Sequence, residues 1–61
     1  MNIEFKTWYG EEPRKWSYDS VAALEKTTID KTFPVWDVRI DGKELQIHMW
    51  LDDLIKYCKG R

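Results

Sequence analysis

Histidine and cysteine each occur once in these 61 residues, glycine three times and proline twice. A single cysteine cannot form a disulfide within the chain, so the fold must rest on its core, and this usage fits a reducing compartment. One imidazole and one thiol leave a structural zinc set short of ligands, and no Cys-x-x-Cys occurs. The glycines stand apart at 10, 42 and 60, so there is no glycine-rich phosphate loop. No apolar run is long enough to span a bilayer, and no basic start leads into an apolar stretch as in a signal peptide. The expectation is a cytoplasmic protein with no membrane partner. An excess of one charge is also lacking: 10 Lys and Arg against 11 Asp and Glu leave a net charge of −1. That balance gives no strong pull toward polyanions, and it does not suit a nucleic-acid mimic, which needs an uncompensated acidic surface.

What is present is a globular composition, 43% hydrophobic and 34% charged, with no repeat or low-complexity run. Residues 1–61 are read as one domain near the lower size at which a chain folds unaided. With Met1 at the start and the chain ending just past the helix stop at Gly60, a whole small gene product is expected. Four Trp, three Tyr and two Phe make the chain 15% aromatic. Each ring brings roughly 150–250 Å² of buriable surface, so the rings either fill a marginal core or stand out as binding anchors.

Residues 1–9 alternate, with Met1, Ile3, Phe5, Thr7 and Tyr9 on one side and Asn2, Glu4, Lys6 and Trp8 on the other. This predicts a half-buried strand with Trp8 out of place on its polar side. Gly10 to Pro13 break it. Over residues 17–29 the period becomes helical, with Tyr18, Val21, Leu24 and Ile29 on one stripe and Ser17 or Asp19 as the cap. Asp41-Gly42 predicts a type I′ hairpin within residues 35–49. Its register sets Arg39 against Glu44, Val38 against Leu45, Asp37 against Gln46 and Trp36 against Ile47, with Trp36, Val38, Ile40, Leu45 and Ile47 facing inward. Residues 49–59 predict a second helix whose stripe is Trp50, Leu51, Leu54, Ile55, Tyr57 and Cys58. Asp52 and Asp53 begin it, Lys56 and Lys59 end it, and Gly60 stops it. The predicted fold class is α+β in the order β-α-β-β-α: a three-stranded sheet with both helices packed on one face. The other face would carry Glu4, Lys6, Trp8, Asp37, Arg39, Glu44, Gln46 and His48.

Little of this supplies catalytic chemistry. His48 is expected on the polar sheet face and Cys58 in the core, so they do not form a nucleophile and base. Glu11-Glu12 read as a solvated turn and Asp52-Asp53 as a helix first turn rather than acid–base pairs. The expectation is therefore a non-enzyme with no catalytic residues, no cofactor and no metal. The segment from Trp8 to Tyr18 gathers four aromatics around adjacent Arg14 and Lys15, the composition of a protein-binding surface. Trp8, Arg14, Lys15 and Trp16 are the expected anchors, with Arg39 and His48 as secondary contacts. By size and type the chain suits a phage-type inhibitor or antitoxin-like regulator that binds another protein. The alternative is a small nucleic-acid-binding regulator that stacks its rings on bases, although Glu4, Glu11, Glu12, Asp37 and Glu44 dilute its positive field. Open sheet edges offer a further route, to a homodimer.

Overall fold

Strand alternation holds where it is cleanest. In the computed structural model, which describes residues 1–45 and 48–60, β1 spans Ile3–Tyr9. Ile3, Phe5 and Thr7 are fully buried, whereas Lys6 and Trp8 on the opposite face are exposed. Gly10, with φ at 65°, then reverses the chain. Glu12–Tyr18 returns as β2, antiparallel to β1 with Trp16 opposite Phe5 and Lys15 opposite Lys6. The sequence reading has no strand here. Pro13 and a run of charged residues hide the alternation of β2, in which only Trp16 and Tyr18 are partly buried. An edge strand tolerates such residues because one side of its backbone faces solvent.

The predicted helix over 17–29 shrinks to α1, Val21–Glu25. Ser20, rather than Ser17 or Asp19, caps it, its hydroxyl accepting the Ala23 N–H at 3.1 Å. Thr27 ends it. Its hydroxyl shares a hydrogen bond with the Tyr18 phenol and accepts the Ile29 N–H, a local alternative to further helical turns.

The second hairpin forms as its turn demands. β3 spans Pro34–Ile40 and β4 Lys43–Leu45, joined through Asp41 (φ 53°) and Gly42 (φ 81°). Val38 faces Leu45 and Arg39 faces Glu44, the predicted register; the pairings with Gln46 and Ile47 lie outside the described residues. The strand order is β2-β1-β3-β4, and β5, Met49–Trp50, also pairs with β3. The antiparallel sheet thus has five strands instead of three, and the element order is β-β-α-β-β-β-α.

Within β3, the inward assignment of Trp36 fails. Between β1 and β3, Glu4 pairs with Arg39 but Lys6 pairs with Trp36, so two steps along β1 match three along β3. Asp37 is the extra residue, with φ at 50°. A bulge of this kind inverts the alternation beyond it. Val35, Val38 and Ile40 are buried, while Trp36 turns to the open face against Trp8.

Helix α2 covers Leu51–Lys59. Its first two predicted residues, Met49 and Trp50, are used in β5, and Trp50 is 56% exposed rather than part of the apolar stripe. Tyr57 is exposed as well, while Leu51, Leu54, Ile55 and Cys58 are buried. No side chain caps the start; the N–H groups of Leu51 and Asp52 donate to the carbonyls of Phe33 and Lys31 at 2.9 and 3.0 Å. Asp52 pairs with Lys56 at 3.4 Å, and Lys59 reaches Glu25 of α1 at 3.5 Å. Leu24 of α1 and the buried residues of α2 join Ile3, Phe5, Val35, Val38 and Ile40 in one core. Thr7, the one buried polar residue among those described, donates to the Pro34 carbonyl at 2.8 Å. Both helices therefore cover one face of the sheet and leave the other open.

Leu54→Ala should lower unfolding free energy by about 2–5 kcal/mol, measured by chemical denaturation. Asp37→Val should cost about 1–2 kcal/mol or more because a β-branched residue resists positive φ, whereas Asp37→Gly should retain the fold. Equal tolerance of valine and glycine would refute the bulge.

Candidate functional site: the open sheet face

The pleat and the bulge set the membership of this face. Glu4, Lys6 and Trp8 come from β1, Pro13, Lys15 and Ser17 from β2, and Trp36, Asp37 and Arg39 from β3, with Glu44 of β4 beside Arg39. The indoles of Trp8 and Trp36 meet at 5.6 Å between centroids with a 59° tilt. Trp8 remains 41% exposed and Trp36 is half-buried, so the pair is an apolar island reachable from solvent. Beside it, Lys6 contacts Asp37 at 3.3 Å and Lys15 contacts Glu4 at 3.3 Å. Lys6, Lys15, Asp37, Arg39 and Glu44 line a cleft of about 360 Å³. Three cations (Lys6, Lys15, Arg39) meet three carboxylates (Glu4, Asp37, Glu44), and Arg39 makes no ion pair among the described residues. The island therefore sits beside balanced charge, with Arg39 available to an outside acceptor.

The expected anchors divide between the two sides of the sheet. Trp8, Lys15 and Arg39 lie on the open face. Arg14 and Trp16 lie on the other side of β2, opposite Thr7 and Phe5. Trp16 packs against the core and meets Tyr9 at 5.9 Å, while the Arg14 guanidinium stands 4.9 Å over the Tyr9 ring. His48 is exposed and lines a separate recess with Pro34, Met49 and Trp50. Gln46, expected on the open face, lies outside the described residues. The residue missed by sequence reasoning is Trp36. The available signal was Asp37, a residue type that tolerates positive φ, placed where period 2 should have continued.

Among the described residues, no group of three or more His, Cys, Asp or Glu is placed to hold a metal ion. Nor is any helix long and apolar enough to cross a membrane. The Asp30 titration is displaced. The Thr32 hydroxyl and then the Thr32 amide donate to the Asp30 carboxylate and hold it below the ordinary carboxylate range. Compared with protein-family models, curated proteins and solved structures, the chain matches none of them. Its function must be argued from the surface itself.

A double-mutant cycle on Trp8→Ala and Trp36→Ala should give a coupling of about 0.5–1.5 kcal/mol, read by denaturation; zero coupling would separate the rings. The depressed Asp30 carboxyl contributes stability that is present above the unfolded value of about 3.9 and is lost as pH falls through the folded value. An NMR titration should place its inflection below that of a model aspartate, and Thr32→Val should raise it. An unshifted inflection in both proteins would contradict the hydrogen-bonded turn.

Proposed function

We propose that this chain is a non-enzymatic protein-binding module that inhibits or redirects a larger protein by covering part of its surface with the open sheet face. The observation that carries this reading is the placement of the tryptophans. A 61-residue chain has every reason to bury its largest apolar side chains, yet none of its four tryptophans is among the buried core residues. Two of them meet on the face that no helix covers. Tryptophan and arginine dominate binding hot spots, and a central aromatic island with a polar surround is the anatomy of a transient interface. Trp8 and Trp36 are the anchors, Arg39 the principal polar contact, and Lys6 and Lys15 fix orientation. The matching partner surface is an apolar recess beside a carboxylate able to receive Arg39. A phage-type or antitoxin-like regulator in the cytoplasm remains the kind of protein that this size and surface suit.

A nucleic-acid regulator would use the same rings for stacking. The ion pairs Lys6–Asp37 and Lys15–Glu4 weigh against it, since each neutralises a cation that a phosphate would need. Pro13, Arg14 and Lys15 on the outer strand also weigh against a homodimer formed by edge pairing.

The tagged chain should retain a protein from lysate through nuclease treatment, and Trp8→Ala should weaken that binding by more than about 2 kcal/mol, a larger loss than the stability of about 0.5–1.5 kcal/mol that its contact with Trp36 carries. Affinity should vary weakly with salt. Loss of the captured material on nuclease treatment, or a steep fall with salt, would replace this reading with the nucleic-acid one.

A further inference from the structure

A second recess, at the end of the sheet between the Gly10 turn and the segment after α1, carries chemistry that the open face does not use. It measures about 160 Å³ and is lined by Trp8, Tyr9, Trp16 and Phe33, with Asp30 as its one charged lining residue. Tyr9 is 58% exposed, so its ring is accessible to a ligand. Tyr9 and Trp16 are inclined at 53°, which keeps their π faces from closing on each other. The cluster already attracts a cation: the Arg14 guanidinium stands 4.9 Å from the Tyr9 centroid, in the field of the ring quadrupole. Asp30 accepts both Thr32 hydrogen bonds at Oδ1, and Oδ2 has no partner among the described residues.

We propose that this aromatic recess binds a quaternary or methylated ammonium group, with the rings of Tyr9, Trp16 and Phe33 around the cation and the Asp30 carboxylate opposite its charge. The chemistry selects this class over an ordinary ammonium or guanidinium. A primary ammonium is strongly hydrated, and packing it against three rings removes water from N–H donors that one carboxylate oxygen does not replace. A trimethylammonium group has no donors and is attracted by each π face. Size agrees. A cavity of roughly 150 Å³ holds a six-membered ring, so a recess of about 160 Å³ admits a nitrogen bearing four carbons. Asp30 is an exposed carboxylate held below the ordinary range by Thr32, so at neutral pH the counter-charge is in place before a ligand arrives. Trp8 borders both surfaces, but this proposal does not rest on the open-face reading, because its ligand can be a free solute.

The test is a titration of the full chain with choline and with neohexyl alcohol, its uncharged carbon isostere, followed by NMR shifts at Tyr9 and Trp16. Choline should saturate and bind at least about fivefold more tightly than the alcohol. Asp30→Asn, which retains the oxygen that accepts from Thr32, should weaken choline binding and leave the alcohol unchanged. Tyr9→Leu, shown to be folded by its dispersed amide spectrum, should weaken choline further. A short trimethyllysine peptide tested beside its unmethylated form separates a side-chain ligand from a free solute, and tighter binding by either methylated probe supports the site. Equal binding of choline and the alcohol would mean an apolar recess without cation recognition and would overturn the proposal. So would the absence of a saturable shift with every methylated probe, or shifts that both variants leave intact.

Discussion

A single left-handed residue, Asp37, determines what both faces of the sheet present. With regular alternation Trp36 would share the inward side of Val38 and Ile40, as the hairpin register alone requires. With φ at 50° at Asp37, Val35 takes the inward place beyond the bulge and Trp36 crosses to the other side. Two consequences follow from one backbone angle. The core is built from aliphatic side chains around Phe5, which α1 and α2 can cover with Leu24, Leu51, Leu54 and Ile55. The open face gains a second indole beside Trp8, which turns an isolated exposed tryptophan into a pair. Lys6, across from Trp36 and in contact with the Asp37 carboxylate, adds an exposed ion pair at the bulge; such pairs contribute little to stability but bias local orientation.

This division of labour is unusual for so small a domain. Tryptophan offers the most apolar area per residue, and a chain of this length has little core to spare. Here Trp16 and Trp36 are only partly buried, and Trp8 and Trp50 are exposed. Such placement sacrifices burial, and binding is the physical reason that accounts for it most simply, since an anchor must be desolvated by a partner rather than by its own fold. The charges beside the Trp8–Trp36 pair favour the same reading. Three cations matched by three carboxylates would give the proposed interface specificity through complementary contacts, whereas a polyanion-binding surface requires an uncompensated field.

Much of the fold was legible in the sequence where local rules are strict. Asp41-Gly42 fixed the hairpin because few residue pairs accept two positive φ angles, and the register it implied from Val38 to Leu45 is the one observed. The terminal helix was legible from its apolar stripe and from acids at the start and lysines at the end. What escaped was set by tertiary context. Nothing local in Glu12–Tyr18 identifies a strand, because its partner is the strand before it and its exposed positions hold proline and charge. The helix after it looked longer than it is, because Thr27 engages Tyr18, a contact that exists only once β2 has formed. Most of the open face was read correctly, Glu4, Lys6, Trp8, Arg39 and Glu44 included. Trp36 was not, because a bulge changes the period by one residue while leaving the composition untouched.

The most direct measurement of the central claim is a nuclear Overhauser spectrum of the free protein that follows the Trp36 indole. The bulge at Asp37 predicts cross-peaks between the Trp36 and Trp8 ring protons, with both rings broadened by a soluble paramagnetic probe. Cross-peaks from Trp36 to Leu54 or Val38 methyls, with Trp36 shielded from the probe, would place it in the core and remove the aromatic pair on which the proposed binding surface depends.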